Sequence, residues 1–278
     1  MSHEEEMHAI VCIKQVPDTT EVKVNPDTGT LIREGVPSII NPFDTYAIEE
    51  ALLWRERFGG RVTVVSMGPP QAEDALREAI AMGADEAILL SDRAFAGADT
   101  LATAYTLAAA IRQIGDYDLV ICGRQAIDGD TGQVGPGIAN RLGIPQLTYV
   151  SKIRQIDFET GTITVERLVE EGCEVVASTL PAVITVNKDV NQPRYPDFKG
   201  VIRSRGMEIP VWGAGVLGGA DPTRCGLDGS PTRVVRVFTP PPRQEEAEFI
   251  EADTVQEAAA LLAEKLLAEE VIRNQVFG

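Results

Sequence analysis

The residues from Gln125 to Gly143, QAIDGDTGQVGPGIANRLG, are the part of the chain whose types and spacing best suit chemistry. Gly129, Gly132, Gly135 and Gly137 alternate with Asp128 and Asp130 in a loop that reads as the entrance to a helix. The backbone N–H groups from Gly132 to Gly135, with the positive end of the helix behind them, form an anion site suited to phosphate. The aspartates then need another task. Asp130-Thr131-Gly132-Gln133 has the spacing of a capping box, so Asp130 is expected to cap the helix while Gln133 reaches back. Asp128 is free to accept hydrogen bonds from ribose hydroxyls. The competing reading is a plain turn, because Gly–Asp clusters often turn the chain with no ligand.

Other chemistry is scarce. The two histidines, His3 and His8, lie at the N-terminus, which disfavours Ser-His-Asp, Cys-His and histidine acid–base sites. Cys12, Cys122, Cys173 and Cys225 show no CxxC spacing, so neither a zinc site nor a redox motif is expected. A bound cofactor is the expected carrier of the chemistry, with no catalytic side chain assigned. At net charge −17 the chain has no broad basic surface for nucleic acid. Its longest apolar runs are too short to span a bilayer. The acidic start, MSHEEEM, reads as a leader rather than a signal or transit peptide. The expected compartment is the cytoplasm, or a membrane surface reached through a partner.

The elements that must position the loop follow from the pattern. HAIVCIK (8–14), RVTVVS (61–66), residues 86–90 and YDLVIC (117–122) are apolar runs of buried parallel strands. Between them lie a polar segment with turn signals at 25–29 and helices over 42–58, 72–83 and 100–111. Asn41-Pro42 opens the first helix and Gly59-Gly60 ends it. The β-α alternation predicts a Rossmann-like α/β fold, a parallel sheet with helices on both faces. The loop after residue 122 then sits at the carboxyl ends of the strands, where such sheets bind ligands. Strands at 147–156, 162–169 and 174–178 read as an added antiparallel meander, and LPAVITVN (180–187) as one more buried strand. From 192 to 242 the chain is rich in Pro, Gly and Arg and weakly periodic. Thr254 to Ile272 is a helix with a capping box at Thr254–Glu257. The organisation expected is a nucleotide-binding α/β domain over 1–190, a recognition loop and extended arm over 191–242, and a linker with a C-terminal helix over 243–278.

Several stretches resemble the β subunit of electron transfer flavoproteins: the first strand ending in Lys14, Asn41-Pro42-Phe43, Val65-Ser66-Met67-Gly68-Pro69, AMGAD (81–85), Gln125-Ala126-Ile127-Asp128, Leu180-Pro181-Ala182-Val183 and Pro193-Arg194-Tyr195. The resemblance implies an α subunit carrying an FAD, and a nucleotide buried in this chain. It places that nucleotide against Cys12, Asn41, Pro42, Phe43, Asp44, Met67 and Gly123. The loop residues Ala126, Ile127, Asp128, Gly129, Asp130, Thr131, Gly132, Gln133, Val134, Gly135 and Pro136 complete the lining. Phe43 would also approach the α-subunit flavin. Ordinary members hold AMP there. The Asp128–Pro136 run is similar instead to electron-bifurcating members, which hold a second FAD, and Gly129 and Gly132 would admit a pyrophosphate.

The resemblance further implies electron flow from NADH to an acyl-CoA dehydrogenase or quinone oxidoreductase on one branch and to ferredoxin or flavodoxin on the other. It implies docking through Tyr195, Phe198 and Lys199, although Phe198 packed under its own loop is the plainer alternative. The arm and final helix are expected to wrap the α subunit, or else the helix packs on its own domain. A one-flavin shuttle with AMP, and a stand-alone ATP-binding α/β domain, are the other functions this sequence allows.

Overall fold

The computed structural model describes residues 6–18, 37–235 and 248–268. Most of the leader, the turn expected at 25–29, the arm beyond 235 and the end of the last helix lie outside the described residues. The chain divides into two units, Met1–Val237 and Phe238–Gly278.

The first unit is a nine-stranded sheet flanked by helices. Its first half runs β1 (His8–Ile13), a small hairpin β2 (Gln15–Pro17) and β3 (Ser38–Ile40), α1 (Pro42–Phe58), β4 (Arg61–Met67), α2 (Glu73–Met82), β5 (Glu86–Leu90), α3 (Thr100–Ile114), β6 (Leu119–Gly123) and α4 (Val134–Leu142). There follow β7 (Gln146–Asp157), β8 (Thr162–Val169), β9 (Gly172–Thr179), β10 (Ala182–Val186), α5 (Phe198–Gly206) and β11 (Val211–Trp212). The strand order is β11-β5-β4-β1-β6-β10-β7-β8-β9. Strands β11 to β7 pair in parallel, whereas β7-β8-β9 is antiparallel.

The fold follows from the pattern. Strands β1 and β10 are buried along their whole length because helices cover both faces of the sheet, which is why they read as unbroken apolar runs. One apolar core joins α1 and α2 to one face, and a second joins α3 and α4 to the other. From β1 the chain winds outward to β4 and β5, then returns past β1 to β6. That reversal makes a switch point between β1 and β6, and opens a crevice beyond their carboxyl ends. Cys12 and Cys122 are register partners at this point, both buried.

Residues 191–235 pack within the first unit. They contribute α5, packed on α2, and β11, paired with β5, and they bury Leu217 and Cys225. In the second unit, α6 (Val255–Ala268) starts as its capping box predicts, with Glu257 N–H donating to Thr254 Oγ1 at 3.2 Å. No helix among the described residues is long and apolar enough to cross a membrane.

Candidate functional site

The crevice is built from the ends of β1, β4 and β6 and the first turns of α1 and α4. Gly123 ends β6, and its missing side chain lets α1 approach. A Cβ there would lie 2.2 Å from Asp44 Oδ1 and 2.7 Å from the Phe43 carbonyl carbon. Asn41 precedes Pro42 at the start of α1 as expected, but its side chain caps nothing. It is fully buried and faces the loop instead. Its Nδ2 donates to Gln125 O at 2.9 Å and its Oδ1 accepts from Ile127 N–H at 3.0 Å. One amide thereby fixes the loop's path.

Asp44 is the buried acid of the site. It accepts from Lys14 N–H at 2.7 Å. Burial pushes its carboxyl up to about 7, against the opposing pull of hydrogen bonds from Asn41, Lys14 and Gly123. Lys14 turns outward, and its ammonium holds both oxygens of Asp128, at 2.6 and 2.7 Å. Asp128 is therefore paired with a cation at the rim of the crevice.

Asp130 is not the cap of α4, and this corrects the capping-box reading. The helix begins at Val134, with Gln133 at the cap position and no side-chain cap bond. Asp130 (φ 55°) and Gly132 (φ 63°) both lie in the left-handed region, so the chain turns twice before the helix forms. An N-cap residue takes extended backbone. The Asp130 carboxylate accepts from the Gln125 side chain instead, and Gln133 Oε1 accepts from Thr100 Oγ1 at 3.0 Å. The glycines also divide by role. Gly135 and Gly137 allow close packing of α4, since a Cβ would meet Thr185 Cγ2 at 2.4 Å and Ala104 Cβ at 2.8 Å. At Gly129 a Cβ would meet open space.

The structure places Cys12, Met67 and Gly123 at the carboxyl ends of β1, β4 and β6, beside the start of α1, and Asn41 and Lys14 tie Gln125, Ile127 and Asp128 of the loop to them. Sequence reasoning missed two further polar groups near the ends of these strands. Ser66, next to last in β4, has a buried hydroxyl without a hydrogen-bond partner. Arg124, just after β6, has a buried Nε in the same state, and its guanidinium lies 4.9 Å from the centre of the Tyr149 ring. Each sits at the end of a predicted strand, which was the available signal. No group of acidic, histidine or cysteine residues among the described ones could hold a metal ion. His8 lies at the opposite end of β1, with its ring between Asp116 O at 2.8 Å and Thr63 Oγ1 at 2.9 Å. Burial lowers its pKa from the ordinary histidine value.

Tyr195 and Phe198 lie elsewhere, at the start of α5, and are 94% and 80% exposed. Phe198 does not pack under its own loop.

Fold and crevice define the class: a doubly wound α/β protein with a polar ligand edge at its switch point. Residues 28–216 match the family model described as the electron transfer flavoprotein domain. The chain is 53% identical over 267 residues to the electron transfer flavoprotein subunit beta of Thermoanaerobacterium thermosaccharolyticum, covering 96% of this chain and all of that one (100%). It is 50% identical over 266 residues to the subunit beta of Clostridium acetobutylicum, with 96% and 100% covered. It is 52% identical over 260 residues to Protein FixA of Bradyrhizobium diazoefficiens, with 92% and 90% covered. The chain belongs to the family of electron transfer flavoprotein β subunits, which includes FixA. Its function at this level is electron transfer.

Proposed function

We propose that this chain is the β subunit of a heterodimeric electron transfer flavoprotein that binds FAD in the crevice and works by bifurcation. The pair would pass electrons from NADH along two branches. One ends on an acyl-CoA dehydrogenase or quinone oxidoreductase, the other on ferredoxin or flavodoxin. The observation that supports a nucleotide here is the pair of buried polar atoms without partners, Ser66 Oγ near the end of β4 and Arg124 Nε just after β6. Such atoms are costly to bury unless something completes their hydrogen bonds. A cofactor bearing phosphate and hydroxyl groups fits them.

The residues present have separable tasks in this reading. The N–H groups near Gly132 and the first turn of α4 would face the phosphates, with open space at Gly129 for close approach. Asp128 would face a ribose, shared with Lys14. Asn41 holds the loop in place, and Asp44 joins the ends of β1 and β6 behind it. The FAD supplies the redox chemistry when bound, and the chain supplies its position and surrounding charge. AMP in the same crevice is the second reading, because Ser66 and Arg124 would complete a mononucleotide equally well.

Co-purification with the α subunit, followed by denaturation and quantitation of released FAD and AMP, tests the proposal. About two FAD per heterodimer is the expected result. One FAD with one AMP would leave an ordinary one-flavin shuttle.

A further inference from the structure

The segment bearing Tyr195 and Phe198 is exposed at its tips and held tightly at its roots. On the N-terminal side Arg194 meets the middle of α1. Its Nε and Nη2 donate to the Glu49 carboxylate at 2.8 and 3.0 Å, its backbone N–H to the same carboxylate at 3.1 Å, and its Nη1 to Glu56 at 2.5 Å. Three residues earlier, Asn191 Nδ2 donates to Glu50 Oε2 at 2.8 Å and Tyr46 O at 3.0 Å. Glu50 is fixed in turn by Trp54 Nε1 at 2.7 Å. Glu49 and Glu50 are 4% and 5% exposed, so these acids lie within the domain rather than on a solvated face.

On the C-terminal side α5 is bound to α2. Arg203 donates to Ile80 O and Ala84 O, both at 2.7 Å, and Arg77 donates to Ser204 O and Met207 O. Gly200 sits against Ala81 O with no room for a Cβ. Between these roots Tyr195, Phe198 and Ile202 are 94%, 80% and 57% exposed, and the last two lie one turn apart on α5. A flexible loop would lose conformational entropy each time it docked. A segment fixed beforehand presents the same side chains with that cost already met by the fold.

We infer that Glu49, Glu50 and Asn191, with Arg194, form a clamp whose role is to hold the Tyr195–Ile202 segment in its docking conformation. They are positioning residues, and they touch no partner themselves. The inference rests on the proposed docking role of Tyr195 and Phe198, and it adds the device that makes the segment rigid. Bidentate Arg–carboxylate geometry is central, because it fixes orientation as well as distance.

The test uses the complete heterodimer with its cofactors. Amide hydrogen exchange over residues 195–202 is measured for wild type, Arg194→Ala and the milder Arg194→Lys. The KM and kcat for an acyl-CoA dehydrogenase that the wild-type complex reduces are measured beside it. Exchange in Arg194→Ala should rise about tenfold in this segment only, with a raised KM and little change in kcat. Arg194→Lys should fall between, since it keeps the charge and loses the fork. Unchanged exchange in both variants overturns the clamp. Phe198→Ala separates the two layers: if its KM is unaltered while the Arg194 variants exchange faster, the clamp holds a segment that does not dock, and the functional inference fails.

Discussion

Helix α1 serves two regions in opposite ways. Its first turn meets the crevice through Asn41 and Asp44, with neutral donors, one buried carboxylate and loop acids left at the surface. Its middle meets the proposed docking segment through buried Glu49 and Glu50, matched by Arg194 and Asn191. The ends of the strands below the crevice retain unpartnered Ser66 Oγ and Arg124 Nε. The clamp retains only Asn191 Oδ1, on a side chain whose nitrogen makes two bonds. The proposed ligand site keeps two such atoms in reserve, whereas the proposed clamp leaves one. The contrast can be broken at the first turn of α1 or at its middle.

The largest effect is expected at Asp44, which unlike Glu49 has no arginine against it. Its folded pKa, raised from 3.8 to about 7, stands above that of the unfolded chain. The carboxyl therefore contributes stability that is fully present below about pH 4 and lost as pH rises through about 7. A shift of this size corresponds to roughly 4 kcal/mol as an order of magnitude. Urea midpoints of the heterodimer from pH 5 to 8 should show wild type losing ground against Asp44→Asn as pH rises. A constant difference between the two would remove Asp44 as the buried charge of the crevice.

Next is Gly123→Ala, which drives a methyl into Asp44 and the backbone of Phe43. Overpacking of this kind costs about 3 kcal/mol, read as a lower urea midpoint. Asn41→Ala follows at about 2 kcal/mol, because it removes two hydrogen bonds, one to Gln125 O and one from Ile127 N–H, at about 1 kcal/mol each. If Asn41→Ala keeps full stability, the loop is held by something other than this amide, and the contrast between the first turn and the middle of α1 weakens.

The sequence exposed the parallel strands because burial on both faces leaves no alternation to misread, and Gly59 and Gly83 marked helix ends through positive φ. The placement of the loop at the ligand edge followed from strand order alone. The loop's internal geometry did not follow. Asp130 matched a local spacing rule, but the left-handed turns at Asp130 and Gly132 moved the helix start to Val134. Ser66 and Arg124 look ordinary in sequence, and only the sheet shows that their polar atoms are buried without partners. Helix α5 escaped notice because its fixation comes from Arg77 and Arg203, which bond to carbonyls distant in sequence. Weak local periodicity is silent about long-range hydrogen bonds.

The smallest stability effect is expected at the rim, where it separates structural from ligand-directed charge. Lys14 and Asp128 form a short ion pair, but their side chains are 47% and 26% exposed. Pairs in such surroundings contribute about 0–1 kcal/mol. Asp128→Asn should therefore leave the urea midpoint nearly unchanged while lowering the nucleotide retained through purification, since the amide would meet ribose hydroxyls less favourably than the carboxylate does. Lys14→Ala should shift stability as little, yet it frees Asp128 and so should not reduce retention in the same way. Equal loss of nucleotide in both variants would mean that the pair acts as a unit closing the crevice, with Lys14 as much a part of the site as Asp128.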